Sequence, residues 1–375
     1  MAGIENNLYY EYIEKSDPHN ALDSTFNIMV VDIESGNRSY LCNRAECKHN
    51  DESCASFYSV RPEYLFYNDE FLFVGGWYKP NGENSVVQIY MSDLNGDNRR
   101  LCYQPLPEEA ILGSFVLGKD YMFFDENVMI TEKPLTVKKK LKKLNIRTGE
   151  SEFIYDFKGN EQIIGAYGDI IYINAYAGSS LSSVISQKST IFSIDMNGNV
   201  LEKNILEWKG EETQFRNFGK YFVEFKKEPG SLVVTNLETK ERVEYTEGLS
   251  EITKEGFSLH FVDEDVIRFG AKDDETERFL KPYSLNRKTK EVSSVTWRRE
   301  GKDAGYMGVD ILAQNADKFL VVYAMGTTST MVDSVRPQIS TEPELVEKQY
   351  MMYATISKED YINDNRNLKP VKDYS

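Results

Sequence analysis

The segments YGDIIYI (residues 167–173) and IDMNGNV (residues 194–200) decide the fold of this chain, because each has the pattern of a β-hairpin turn. In the first, Gly and Asp precede a run of β-branched and aromatic residues. In the second, an Asp side chain can accept a hydrogen bond from the backbone two residues on, and a Gly follows where the left-handed conformation falls. With the apolar runs around them, the two turns predict four consecutive antiparallel strands.

Both turns recur along the chain, so the four strands form a repeating unit. Further segments of the first type are IENNLYY (4–10), YNDEFLF (67–73), LGKDYMFF (117–124), FGKYFVEF (218–225), VDEDVIRF (262–269) and NADKFLVV (315–322). Turns of the second type begin at Asp32, Asp93, Asn145, Asp195, Asn236 and Asn286. Four-stranded units of about 40 to 60 residues are typical of propeller blades.

We therefore predict an all-β chain that forms a single β-propeller domain over residues 1–375. A closed ring is favoured because a linear stack of such sheets would expose long edges. Seven units predict seven four-stranded antiparallel blades, with six or eight as the alternatives. The first unit begins at its first turn and so lacks one strand, which we expect the tail NLKPVKDYS (367–375) or a removed leader to supply.

The charge and hydropathy patterns exclude several classes of partner. The formal net charge of -16 argues against nucleic acid or an anionic membrane as the main partner. The basic run TVKKKLKK (136–143) is predicted to be a solvated strand whose lysines discourage edge pairing. No apolar run of about 18 residues is present, so we predict no transmembrane segment. The start MAGIENNLYY lacks a signal-peptide pattern, which indicates either a cytoplasmic protein or a mature portion whose leader was removed.

The connections between the strands differ in length. The tight turns share one end of the blades, whereas the long connections share the opposite end, and this is where we expect a ligand to bind. The long connections are residues 14–24, 76–85, 175–189 and 325–349, together with the Cys-rich segment between blades one and two.

Three aromatic residues on this face, Trp77, Tyr78 and Tyr176, are candidate ligand-binding residues for a glycan or peptide, and they could equally anchor the loops. Asp125 and Glu126 lie at the same end and could take part in glycoside chemistry. No second carboxylate is fixed near them by the sequence, and the chain has only three histidines. We therefore predict a non-catalytic module that binds a glycan, peptide or protein. The alternative is a glycan-processing enzyme with its site in the central funnel.

The segment LCNRAECKHNDESC (41–54) contains three of the four cysteines of the chain. Cys42, Cys47, His49 and Cys54 are spaced as C-x4-C-x-H-x4-C, so four nitrogen and sulfur donors lie within one turn-rich loop. Such a loop could wrap a structural zinc ion. A disulfide such as Cys47–Cys54 is equally natural in an exported protein, and free thiols are the third possibility. No other cofactor is indicated.

The unit DIIYINAY…STIFSIDMNGNVLEK resembles the blades of bacterial propellers related to the lipoprotein-receptor YWTD type and to the Tol-system periplasmic propeller. The loop LCNRAECKHNDESCASF is similar to a Cys/His segment of surface lipoproteins from anaerobic Gram-positive bacteria. The resemblance implies export, a lipid anchor on the full-length precursor, a place at the cell envelope or outside the cell, and a binding role. It supplies no catalytic residues.

Overall fold

Each repeat of the sequence forms one sheet in the computed structural model. The structure describes residues 7–17, 20–59, 61–78, 86–106, 109–130, 136–176, 188–209, 213–254, 256–272, 280–296, 309–332 and 344–374. Seven sheets follow one another, six with four antiparallel strands and the first with a fifth strand added, and this order confirms the predicted seven-bladed β-propeller of four-stranded antiparallel blades. The chain divides into two compact units, formed by residues 1–101 with 294–375 and by residues 102–293. The single-domain assignment stays a prediction.

The first unit contains blades one, two and seven. Blade one has β1 (Leu8–Asp17), β2 (Asn20–Asp32), β3 (Asn37–Tyr40) and β4 (Phe57–Tyr58), and blade two has β5 (Pro62–Tyr67), β6 (Phe71–Tyr78), β7 (Val86–Asp93) and β8 (Arg100–Tyr103).

Blades three to six belong to the second unit. Blade three has β9 (Glu109–Leu117), β10 (Tyr121–Ile130), β11 (Thr136–Asn145) and β12 (Ser151–Asp156), and blade four has β13 (Asn160–Tyr167), β14 (Ile170–Tyr176), β15 (Lys188–Ile194) and β16 (Val200–Lys209). Blade five has β17 (Thr213–Phe218), β18 (Tyr221–Lys226), β19 (Ser231–Asn236) and β20 (Arg242–Tyr245), and blade six has β21 (Gly256–Val262), β22 (Val266–Lys272), β23 (Lys281–Asn286) and β24 (Val292–Ser294).

Blade seven and the C-terminal strand complete the first unit. They are β25 (Asp310–Gln314), β26 (Lys318–Val332), β27 (Glu344–Ser357), β28 (Lys369–Pro370) and β29 (Lys372–Tyr374). Two short helices, α1 (Leu249–Ile252) and α2 (Lys358–Ile362), lie between strands. Among the described residues, no helix is long and apolar enough to cross a membrane.

The turns form as their sequences predict. In the turn after β11, Asn145 Oδ1 accepts hydrogen bonds from the backbone of Arg147 and Thr148, and Gly149 has a φ of 76°. The two kinds of turn also touch, because the backbone N–H of Ile146 donates to Asp120 O over 3.1 Å. The tight turns of a blade therefore share one end of the sheet, as expected.

Apolar side chains fill the space between neighbouring blades. In the first unit, Tyr10, Phe26 and Ile28 of blade one pack with Leu72 and Val74 of blade two. In the second unit, blades three and four share a cluster of buried Ile, Leu and Phe side chains. The alternation of the strands thus buries both faces of each sheet, as the propeller fold requires.

Blade one differs from the others at both edges. Asn7 O accepts a hydrogen bond from the N–H of Ile33, the same turn-to-turn bond that Asp120 and Ile146 make in blade three, so β1 occupies the second-strand position. Among the described residues, no strand pairs with the other side of β1. The tail β29 pairs instead with β3, in parallel, at the opposite edge of the sheet. The expected missing strand is therefore not supplied by the tail.

The Cys-rich segment is also placed differently from our expectation. β3 pairs with β2 at Met29, and after residues 41–56 the chain returns as β4 to pair with the same strand at Phe26 and Asn27. The segment is thus an excursion at the edge of blade one, and the expectation that it joins blades one and two was wrong. The two ends of the segment lie close together because the strands that flank it, β3 and β4, both pair with β2.

Two of the expected long loops are largely strand. β1 and β2 pair as far as Asp17 and Asn20, so most of residues 14–24 extends the hairpin. β26 and β27 likewise pair out to Val332 and Glu344, within the range 325–349. In the second range, the β-branched residues Thr327, Thr328, Thr330 and Val332 favour a strand. Most of the other two expected loops, at residues 79–85 and 177–187, lies outside the described residues.

Candidate functional site

The structure brings the four predicted metal ligands together. The ligand atoms of Cys42, Cys47, His49 and Cys54, here called the Cys–His cluster, all lie within 4.8 Å of one another. His49 Nδ1 is 3.3 Å from Cys54 Sγ. His49 has a φ of 53°, which is unusual for a residue with a side chain. This left-handed backbone reverses the chain between the second and third cysteines and brings the imidazole to the thiols.

The surroundings of the cluster shift the pKa values of three of its members in different directions. Partial burial opposes ionisation of the Cys42 thiol, but hydrogen bonds from Arg44 outweigh it and lower the pKa of Cys42 to about 7. Burial raises the pKa of Cys54 to about 12. Burial, with the charges of Lys15 and Arg44, lowers the pKa of His49, so its imidazole is neutral at physiological pH. All of the cysteines are free thiols.

A large cavity lies in the first unit, and we call it the tyrosine cavity. Its volume is about 1170 Å³. Six tyrosines from blades one and seven line it: Tyr9, Tyr10, Tyr12, Tyr323, Tyr350 and Tyr353. The charged residues lining it are Glu11, Glu14, Arg38, Glu63 and Asp373. Four carboxylates and one guanidinium make the cavity acidic.

The tyrosine cavity runs along the open edge of β1. All six consecutive residues from Tyr9 to Glu14 line it, and because successive side chains of a strand point to opposite faces, the cavity must reach around the edge. Tyr12 lies opposite Ile28, whose own N–H and C=O bond to the other side of β2. The N–H and C=O of Tyr12 consequently point to the open edge.

A polar network fixes one wall of the tyrosine cavity. Arg38 donates to Glu11 over 2.6 Å and to Asp373 over 2.9 Å. The hydroxyl of Tyr353 also donates to Glu11. Burial, followed by the charge of Glu11, raises the pKa of Tyr353, so it remains a neutral hydrogen-bond donor. The network joins β1, β3, β27 and β29, and its charges are largely paired with one another.

One tyrosine of the cavity is placed by a glycine on the neighbouring strand. Tyr350 lies opposite Gly326 in the β26–β27 hairpin, and its ring covers the position that a Cβ of Gly326 would occupy. Half of the Tyr350 surface remains exposed. The ring is therefore supported from behind and still open to a ligand.

The predicted aromatic ligand residues are less fully described. Trp77, the second-to-last residue of β6, is 48% exposed. The side chains of Tyr78 and Tyr176 lie outside the described part of the structure, although their backbones belong to strands. Their role in ligand binding stays a prediction.

Asp125 and Glu126 are buried in ion pairs. Asp125 pairs with Lys139 over 2.8 Å, and Glu126 pairs with Lys142 over the same distance. Lys142 also bonds Glu109 and the hydroxyl of Tyr103. Burial raises the pKa of Glu126 against the hydrogen bonds from Lys142 and Tyr103. Both carboxylates are buried and paired, so they offer no access to a substrate.

The same contacts correct the prediction for the basic run 136–143. Among its described side chains, Lys139, Lys140, Lys142 and Lys143 each pair with a carboxylate, and Lys142 is buried. The run is therefore an ion-pairing strand that is solvated at Lys138 and buried at Lys142, so the prediction of a solvated strand was wrong at Lys142. Its carboxylate partners come from β9, β10 and β12, and this long-range pairing has no local signature in the sequence.

Comparisons with known proteins identify the fold and no family. No family model matches the chain, and no curated protein matches its sequence. Among solved structures, an acylaminoacyl peptidase from Pyrococcus horikoshii matches with a TM-score of 0.50 and 12% identity, over 94% of this chain and 51% of the peptidase. This chain thus spans about half of that enzyme.

Two further solved structures are matched over nearly their whole length. The β-propeller domain of the trilobed protease from Pyrococcus furiosus has a TM-score of 0.48 and 11% identity, covering 93% of this chain and 95% of that one. An oligogalacturonate lyase from Vibrio parahaemolyticus has a TM-score of 0.46 and 13% identity, covering 96% and 100%.

Proposed function

We propose that this chain is a non-catalytic binding module whose tyrosine cavity takes an extended peptide segment of a partner protein along the open edge of β1. The observation that carries the proposal is that the cavity includes both faces of β1 and the side of Tyr12 on which no strand pairs within the described ranges. A strand edge offers regularly spaced N–H and C=O groups, which an extended peptide can satisfy by β-augmentation. The proposed site lies beside one of the long connections at which we expect a ligand to bind, because the cavity borders the β26–β27 hairpin.

The lining of the cavity indicates the chemistry of the peptide. Four carboxylates line the cavity, and Arg38 with the neighbouring Arg61 supplies two positive charges, so the net charge favours basic side chains and repels acidic ones. The tyrosine rings offer flat apolar surfaces with polar tips, which suit apolar residues and the aliphatic stems and cationic heads of Lys and Arg. We therefore propose a ligand that alternates apolar and basic residues.

The groups lining the cavity favour binding over catalysis. Within the described residues, neither histidine nor cysteine nor serine lines it, and its guanidinium is paired with Glu11 and Asp373. A Ser or Cys nucleophile beside a His base would be expected in a hydrolytic site of the acyl-transfer type. Of the carboxylates in the cavity, Glu11 and Asp373 are paired with Arg38.

We further propose that the protein works at the cell envelope, as the resemblance to exported lipoproteins implies, with the cytoplasm as the alternative. Fractionation of the native cells with an antibody against the chain tests this. Recovery in the soluble cytoplasmic fraction alone would contradict it.

The test of the binding proposal separates the backbone of Tyr12 from its ring. Tyr12→Ala removes the ring and keeps the N–H, whereas Tyr12→Pro removes both. Because Tyr12 directs its N–H to the open edge, Pro spares the bonds that β1 makes to β2. One lost backbone hydrogen bond costs about 1 kcal/mol or more when its partner is left unsatisfied, so the proline variant should bind about tenfold more weakly than the alanine variant.

The assay is fluorescence anisotropy of the full chain against ten-residue peptides with alternating apolar and basic residues. Acidic peptides of the same apolar pattern serve as the control. Equal affinities of the two Tyr12 variants would overturn strand addition. Binding of neutral oligosaccharides with no binding of the peptides would favour the glycan alternative, and turnover of any member of a glycosidase substrate panel would overturn the non-catalytic function.

A further inference from the structure

We propose that the Cys–His cluster binds a single structural zinc ion that fixes the Cys-rich excursion to the edge of blade one. Tetrahedral zinc sites with three thiolates and one imidazole have metal–sulfur distances near 2.3 Å and metal–nitrogen distances near 2.0 Å. Ligand atoms arranged around such an ion are therefore about 3.8 Å apart. The four ligand atoms of the cluster already meet this requirement within 1 Å, since none is more than 4.8 Å from another.

The number and kind of donors match zinc more closely than a disulfide. A disulfide would join two of the three cysteines and would leave the third thiol and the imidazole converging on the same point without a role. Zinc uses all four. A neutral imidazole and thiolate sulfurs are the ligands that zinc takes in closed structural sites, and the set of four leaves no open position for a substrate.

Side chains around the cluster contact its ligands and would hold them in position. Arg44 directs its guanidinium to Cys42 Sγ at 3.5 Å and to Cys47 Sγ at 3.7 Å. Three thiolates, one imidazole and a Zn²⁺ ion carry a net charge of -1, which Arg44 balances. Tyr40 stacks on the His49 ring with centroids 4.1 Å apart, and this contact fixes the plane of the imidazole.

A buried amide holds the backbone of the histidine. The side chain of Asn27, on β2, donates to His49 O over 3.0 Å and contacts the Ser56 hydroxyl. Ser56 in turn donates to Ile28 O over 2.8 Å. The left-handed conformation of His49 is thus tied to the sheet itself, so the fold presents the imidazole to the thiols without help from the metal.

A bound metal ion would also stabilise the Cys-rich segment, which has little regular structure of its own. Residues 43–56 contain no strand or helix, and the small apolar cluster around Cys42, Cys54 and Phe57 is the main core beneath them. A structural zinc ion contributes directly to the free energy of folding of such a loop.

The experiment uses the full chain, purified under reducing conditions from zinc-containing medium, with elemental analysis and thiol counting. We expect about one zinc per chain and four thiols after denaturation with a chelator. Cys47→Ser is the test variant because Cys47 is only half-buried. Cys102→Ser, which changes the one cysteine outside the cluster, is the matched control.

Cys47→Ser should lower zinc affinity at least 100-fold, whereas Cys102→Ser should retain full occupancy. Trypsin supplies a readout of structure: removal of zinc by a chelator should open the chain to cleavage after Arg44 and Lys48, and added zinc should restore protection. Less than about 0.2 zinc per chain in the unmodified protein, with no uptake of added zinc, would overturn the site. A mass two hydrogens lower in the unreduced chain would identify a disulfide and would overturn it as well.

Discussion

Removal of the Lys142 ammonium group should strongly destabilise this propeller. The ammonium lies 2.8 Å from Glu109 and 2.8 Å from Glu126, and it donates to the Tyr103 hydroxyl over 2.7 Å. The side chains of Lys142 and Glu109 are each 6% exposed, and that of Glu126 is fully buried. Lys142→Met keeps the length and the apolar stem but leaves two buried carboxylates without their counter-ion, which costs about 3–5 kcal/mol.

The matched control is Lys140→Met, on the same strand. Lys140 pairs with Asp156 over 3.3 Å, and Asp156 is largely exposed, so this pair contributes about 0–1 kcal/mol. Urea unfolding followed by tryptophan fluorescence at pH 7 should therefore separate the two variants by at least about 2 kcal/mol in the free energy of unfolding. Equal losses would refute the view that burial makes the difference.

The loss in Lys142→Met should also depend on pH. The pKa of Glu126 is already raised by burial, with Lys142 opposing that rise. Without Lys142 the pKa in the folded state rises further above that of the unfolded chain, so the folded variant holds its proton more tightly. The stability deficit should thus be largest at pH 7 and should shrink as the pH falls toward 5. A deficit that stays constant over this range would contradict the electrostatic explanation.

Three further substitutions test other parts of the first unit and the turns. Gly96→Ala should lower the free energy of unfolding by about 2 kcal/mol or more, because φ is +85° and a Cβ would lie 2.7 Å from the nearest side-chain carbon of the Cys-rich segment. The control Gly168→Ala, at φ +57° with open space around it, should cost only about 1 kcal/mol in the same urea assay. Equal costs would contradict the packing argument. Arg38→Met should lower the free energy of unfolding by about 2 kcal/mol and speed hydrogen exchange in β29. Asp373→Asn, at the exposed end of the network, should change the stability and the exchange rate little. Equal effects of the two variants would count against the importance of the buried contact between Arg38 and Glu11. Asn27→Ala should weaken zinc binding about tenfold in a competition titration without removing a ligand, and unchanged affinity would show that the amide does not position His49.

The repeat made the architecture predictable because each local signal agrees with the global fold. Asn145 and Gly149 select a turn through a side-chain hydrogen bond and a left-handed backbone, and both effects act within five residues. The Cys–His cluster was predictable for the same reason, since its four donors lie within thirteen residues of one another. Short-range geometry limits where such side chains can go.

The remaining features depend on contacts between distant segments, which the sequence does not encode locally. The stretch LYYEYIE (8–14) contains three Tyr and two Glu, yet nothing in it indicates that no described strand pairs with one side of β1. Lys142 lies in a run that reads as solvated, and its burial follows from carboxylates on β9 and β10. The return of the chain to β2 through β4, which makes the Cys-rich segment an edge excursion, likewise requires the register of a strand about 30 residues earlier.

The departures from regular blade geometry gather in blades one and seven, and this distribution bears on function. A regular blade pairs its inner strands on both sides and packs both faces, so it has few groups left for a partner. Blade one combines an open strand edge at β1 with a cluster of thiols at its other edge, and blade seven extends its β26–β27 hairpin beside the same cavity. Natural proteins depart from regular local structure mainly where function requires it, because each departure costs stability. Surface charge reversal at Glu63, in the cavity, should accordingly weaken binding of a basic peptide several-fold and leave unfolding nearly unchanged. Reversal at Glu247, an exposed residue after β20 in blade five, should affect neither. If both reversals weakened binding alike, the attraction would come from the overall charge of the protein and not from the tyrosine cavity.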